Sequence, residues 1–192
     1  MHKSGLALLA AMTGALVALT APSSAKTFRY AYQGDAATMD PQALRETFTR
    51  EFAANVMESM VRYDEKMQPE PVLAVSWKVI SPTVWRFKLR RNVTFTNGNP
   101  FNADDVIFTH KRVSHPKSPF KGNVAALKQI RKVDSHTIDI DTGKPFPLLL
   151  RELTSMLIFD KEWVKEHNAA DAPSVQQQES YRGRTKRSHK TA

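Results

Sequence analysis

The chain of 192 residues contains no cysteine. That excludes disulfide staples, iron–sulfur clusters, thiolate zinc sites and cysteine nucleophiles. A chain of this length can bury a core without such staples. Glycine is scarce, at 7 residues, and no glycine-rich phosphate loop is present. No Gly-x-Ser-x-Gly elbow occurs. The histidines are His2, His110, His115, His136, His167 and His189, and no two of them show the i, i+4 spacing of a zinc protease. Asp104, Asp105 and His110 could in principle meet a metal, but helix capping accounts better for the two acids. The expectation is a protein that is not an enzyme, with no metal and no cofactor.

Charge is uneven. Lys and Arg number 28 against 19 Asp and Glu, a net of +9. Residues 172–192 hold Arg182, Arg184, Lys186, Arg187 and Lys190 against Glu179 alone. Much of the basicity therefore sits in a short tail, and the part before it is only mildly basic. The tail segment RGRTKRSHK resembles a disordered phosphate-binding arm. An anionic-surface or nucleic-acid binder acting through that tail is thus the alternative reading. It has no aromatic interleaving after Tyr181 and no folded reader beside it, so no nucleic acid is expected.

The start reads as a secretory signal peptide. His2 and Lys3 precede an apolar run from Gly5 to Thr20, and Ser23-Ser24-Ala25 supplies small residues for cleavage after Ala25. No later segment could span a bilayer.

Patterns of secondary structure follow. Thr27–Tyr32 alternates as a strand. Phe48, Phe52, Val56 and Met60 recur every four residues, which predicts a core-facing helix from about Thr47 to Val61. Val84–Arg90 alternates, with Trp85, Phe87 and Leu89 on one face. Val93-Thr94-Phe95 reads as a short strand closed by an Asn97-Gly98 turn. Asn102 stands at a helix N-cap with Asp104 and Asp105 in its first turn. That helix carries Val106, Ile107, His110 and Val113 inward, with Trp77 and Trp85 packed over it. Val124–Ile130 reads as a short helix and Val133–Asp141 as one strand. Pro145-Phe146-Pro147 opens a helix whose core stripe is Leu149, Leu153 and Met156. Asp160 caps a last helix through about His167.

One ordered set of residues goes further: Leu73, Ala74, Ser76, Trp77, Trp85, Phe87, Leu89, Arg90, Val93, Phe95, Asn97, Gly98, Pro100, Phe101, Ala103, Asp104, Asp105 and Val106. In this order and spacing it resembles the extracellular solute-binding proteins of ABC importers, family 5, the oligopeptide-, dipeptide- and nickel-binding type. Lys132-Val133 with Thr137-Ile138, Pro145-Phe146-Pro147 and Asp160–Trp163 continue the resemblance. It runs from about Thr27 to Tyr181 and then stops.

The resemblance implies a mixed α/β fold like the class II periplasmic binding proteins. Only the start of the first lobe and its peripheral subdomain are then present. Residues 1–25 would be the signal peptide and 26–46 the start of the ligand-facing subdomain. Residues 47–171 would form the peripheral subdomain and 172–192 a disordered or frameshifted basic tail. The implied function is capture of a peptide or other small solute in the periplasm by a monomer that delivers it to an ABC permease in the inner membrane. Position by position, Arg45 and Thr47 match the loop that touches the ligand backbone in peptide-binding relatives. Phe120 in Ser118-Pro119-Phe120 matches a tyrosine contact, and it keeps the apolar face while losing the hydroxyl. The acidic residue that pairs with a peptide's amino group would lie beyond Tyr181. On that reading this chain alone binds peptide with a dissociation constant no better than about millimolar.

Overall fold

The structure, a computed structural model, describes Ala36 and residues 38–169. The expected signal peptide, the Thr27–Tyr32 strand and the basic tail lie outside the described residues.

The core is organised by an antiparallel sheet. β3 (Ala74–Ser81), β4 (Val84–Leu89), β5 (Gln129–Asp134) and β6 (Thr137–Asp141) lie in the order β3-β4-β6-β5. Alternation along β4 does what the sequence dictates: Phe87 and Leu89 are buried and Lys88 is exposed. In register, Trp77 faces Phe87, Phe87 faces Ile138, and Trp85 faces Ile140. Phe87, Ile138 and Ile140 are fully buried.

Helix α2 (Ala103–Val113) closes one side. Asn102 is its N-cap, with a capping box completed by Asp105. Each partner satisfies a backbone N–H that the first helical turn leaves free. Val106 and Val113 are buried, Ile107 and His110 half-buried. α2 packs along β5 and along α4 (Lys161–Glu166). Trp77 lies on the edge strand β3 and Trp85 on the inner strand β4. Trp77 meets Phe87, with ring centroids 6.2 Å apart, and both tryptophans are half-buried against the core cluster to which Ala103, Val106 and Val113 of α2 belong. Trp85→Ala should therefore cost about 1–2 kcal/mol in urea melts, below the 3–5 kcal/mol of a fully buried large aromatic. A loss above about 3 kcal/mol would place the indole inside the core.

Four other elements differ from the sequence reading. Helix α1 spans only Thr47–Ala54. Beyond it the chain turns, and Val61–Tyr63 forms strand β1, paired with β2 (Pro69–Pro71). The predicted stripe breaks accordingly, with Phe52 and Val56 exposed and Met60 fully buried. Val93-Thr94-Phe95 is not a strand but a single bridge, Thr94 to Pro100. Its turn is as expected, with Gly98 at φ +91° and the Gly98 N–H donating to the Phe95 carbonyl at 2.9 Å. Val124–Ile130 is a run of turns leading into β5 rather than a helix. Val133–Asp141 is the end of β5, a tight turn and β6. The turn forms because the Asp134 carboxylate accepts the His136 N–H at 2.8 Å.

Helix α3 (Leu149–Leu153) begins after the Pro-Phe-Pro segment, and Leu149, Leu153 and Met156 are buried as expected. Asp160 caps α4 through the N–H groups of Glu162 and Trp163. Among the described residues, no helix is long and apolar enough to cross a membrane.

The other face of the sheet is polar. Arg86 grips Asp139 with both arms, Nε to Oδ1 at 2.7 Å and Nη2 to Oδ2 at 2.8 Å. This hydrogen-bonded cation holds the Asp139 carboxyl below its usual range. An unperturbed aspartate titrates near 3.9, so the pair's stabilisation is complete above about pH 4. It is lost as pH falls through the lower folded-state value. Asp139→Asn should flatten that acid-side decline in urea melts taken at successively lower pH. An unchanged slope would show that the pair contributes nothing.

Candidate functional site

Local sequence explains how the expected ligand residues are presented. Glu46 adopts extended backbone, and its carboxylate accepts the N–H groups of Phe48 at 2.8 Å and Thr49 at 2.6 Å. A hydrogen bond from the Thr49 side chain, together with those backbone bonds, holds the Glu46 carboxyl below its usual range. α1 therefore begins at Thr47, and Arg45 lies just outside it with an exposed side chain. Across the fold, the Ser118 hydroxyl accepts the Phe120 N–H at 3.2 Å. Ser118 and Phe120 are both buried, Phe120 at 4% exposure.

Arg45 joins the two segments. Its Nε donates to the Pro119 carbonyl at 2.6 Å, and its Nη2 donates to Asn123 Oδ1 at 2.5 Å. Its guanidinium carbon lies 5.1 Å from the centre of the Phe120 ring. Arg50, one turn into α1, brings a second guanidinium to 4.9 Å from the same centre. Burial pushes the Arg50 pKa down, and the neighbouring charge of Arg45 adds to this. Arg45, Thr47, Arg50, Glu51, Ala54 and Phe120 line one open depression of about 440 Å³. All three sequence-predicted residues are thus brought together. Arg50 was missed, because an arginine on an amphipathic helix carries no local sign that a distant aromatic will meet it.

A second open depression, about 550 Å³, is lined by residues that include Asn92, Phe101, Asp104, Lys132 and His136. Its cation is already matched, with Lys132 Nζ 2.7 Å from Asp104 Oδ2. None of the sequence-predicted ligand residues reaches it.

The acids and histidine considered as metal ligands are each engaged elsewhere. Asp104 pairs with Lys132, and His110 Nε2 lies 3.0 Å from the Leu127 carbonyl. Burial pushes the His110 pKa down. Asp105 accepts the N–H groups of Asn102 at 2.9 Å and Lys161 at 3.0 Å, and burial pushes its carboxyl up. Asp105 does approach Asp160 and Glu162. Burial works against the Asp160 carboxylate, yet bonds from Asn97, Asn99 and the backbone of α4 hold it below the usual range. Asp105 and Asp160 are buried and serve as helix caps, and the exposed Glu162 pairs with Lys161.

The fold and this geometry can be set beside known proteins. A family model described as bacterial extracellular solute-binding proteins, family 5, middle region, matches residues 68–181. The HTH-type transcriptional regulator SgrR of Escherichia coli O6:K15:H31 is 34% identical over 135 residues, covering 68% of this chain and 23% of the regulator. The periplasmic murein peptide-binding protein MppA of E. coli K12 is 28% identical over 142 residues, covering 59% of this chain and 26% of its own length. Among solved structures, the binding protein MoaA of A. tumefaciens R10, in complex with mannopinic acid, superposes with a TM-score of 0.63. It is 31% identical, over 69% of this chain and 29% of that one. The chain spans about a quarter of the length of these curated relatives.

Proposed function

Because the chain belongs to the bacterial extracellular solute-binding proteins of family 5, we propose that it is the solute-capturing component of an ABC importer, taking a peptide or another small solute in the periplasm and delivering it to a membrane permease. It acts as a monomer and catalyses no reaction. The observation that carries this reading is the convergence of Arg45, Thr47 and Phe120 on one depression. The Arg45–Thr47 segment and Phe120 lie some seventy residues apart in sequence, and the resemblance pointed to the two segments separately. A buried aromatic floor with polar groups around it suits orientation of a ligand rather than chemistry on it. A relative named for a murein peptide and another solved in complex with mannopinic acid support a small polar solute as the cargo.

The domain division follows the same reading. Residues 1–25 are the signal peptide and 26–46 open the ligand-facing subdomain. Residues 47–171 form the peripheral subdomain, followed by the basic tail 172–192.

Ligand-observed NMR of the 192-residue chain with mixed di- to pentapeptides tests the proposal, since it detects even millimolar binding. Wild type should bind, and Arg45→Ala and Phe120→Ala should each weaken binding about tenfold, the effect of one lost charge-assisted or aromatic contact. Equal binding by both variants would remove the depression from the function.

A further inference from the structure

We infer that the depression between α1 and Phe120 recognises a carboxylate on the solute, held between the guanidinium groups of Arg45 and Arg50. This rests on the reading of the depression as the solute site and adds what that site selects.

The charges are out of balance there. Two guanidinium groups lie within about 5 Å of one buried ring. Arg45 has two of its donors occupied by Pro119 and Asn123. Arg50 makes no side-chain hydrogen bond and no ion pair among the described residues. The nearby acids do not compensate. Glu46 spends both oxygens on capping α1. Glu51 stands exposed on the depression and ion-pairs with neither arginine. Neighbouring like charges repel more strongly where burial removes water. An anion placed between them relieves that repulsion and gains fork-shaped hydrogen bonds.

Geometry favours a carboxylate. A guanidinium offers donors in a planar fork that matches the two oxygens of a carboxylate. Phe120 offers no donor or acceptor of its own. Both guanidinium carbons lie over its ring, 5.1 and 4.9 Å from the centre, an attraction that leaves the N–H donors uncommitted to the ring. The depression is small enough to take the end of a solute rather than a folded partner.

Three probes test this on the 192-residue chain, followed through the side-chain Nε–H signals of Arg45 and Arg50. They are trialanine, its C-terminal amide, and the amide of Ala-Asp-Ala. The expected result is that trialanine shifts the Arg50 signal and its amide binds at least about tenfold more weakly, the loss of one charge-assisted contact. Recovery with the aspartyl amide would assign the recognised group to any suitably placed carboxylate. No recovery would assign it to the chain terminus. Arg50→Lys should keep the preference for trialanine over its amide, and Arg50→Gln should abolish it while far-UV circular dichroism stays unchanged. Were Arg50→Gln misfolded, Arg50→Lys and the wild-type probe comparison would still decide. Equal binding of trialanine and its amide would overturn carboxylate recognition and leave solute capture standing. Binding of none of the three would overturn both.

Discussion

Phe87→Ala should lower the unfolding free energy by about 3–5 kcal/mol, the range for removing a fully buried phenylalanine. Phe87 occupies β4, an inner strand of the four-stranded sheet, and has no exposed surface. It faces Trp77 on one neighbouring strand and Ile138 on the other. Truncation leaves a cavity that an inner strand cannot collapse, because β3 and β6 hold β4 by hydrogen bonds on both sides. The cost therefore lies well above that of the half-buried Trp85, despite the smaller side chain. Urea melts of wild type and variant give the comparison. A loss below about 1 kcal/mol would mean that the ring does not pack as described.

The next largest effect is expected at Arg112, which is 4% exposed. Its Nη1 donates to Gln42 Oε1 at 2.9 Å, Nε donates to the Ala169 carbonyl at 3.1 Å, and Nη2 pairs with Asp40. The guanidinium also lies 4.7 Å from the Phe159 ring centre. One side chain thus holds the first and last stretches of the described body together. Arg112→Leu keeps the apolar stem but leaves Asp40 without its cation. Breaking a buried pair from one side costs about 3–5 kcal/mol, and the partial exposure of Asp40 sets the expectation at the lower end. Amide exchange near Gln42 and Ala169 should accelerate. Adding Asp40→Leu should recover part of the loss, because the uncompensated charge is then gone. Additive losses in the double variant would argue against the pair.

Some of this was legible from the chain alone. Asn102 and Asp160 announced their helices because capping is local chemistry, settled within three or four residues. Asn97-Gly98 announced its turn because only a few residues adopt that backbone easily. The outer limit of α1 was not legible. Phe48, Phe52, Val56 and Met60 keep helical spacing, but Met60 and Val61 are recruited to the core by β1 and its pairing with β2, which is a tertiary demand. The hairpin inside Val133–Asp141 was missed because its turn uses Asp134, Ser135 and His136 rather than an Asn-Gly or Asp-Gly pair.

The site divided in the same way. Arg45, Thr47 and Phe120 came from resemblance, residue by residue, and they share one depression. What resemblance could not supply was Arg50. Its significance comes from standing over Phe120 beside Arg45, a relation between α1 and a loop some seventy residues away. Arg112 was silent for a similar reason. A basic residue in the last turn of a helix ordinarily serves the helix dipole in solvent, and here it is drawn inside by Asp40 and Gln42.

The central claim is that a small solute binds at the depression beside α1. Amide-resolved NMR of the 192-residue chain, titrated with mixed di- to pentapeptides, tests it most directly. Saturable shifts are expected at Arg45, Thr47, Arg50 and Phe120, with Asn92, Phe101 and His136 in the other depression unmoved. Shifts centred on that second depression, or none at saturating peptide, would contradict it.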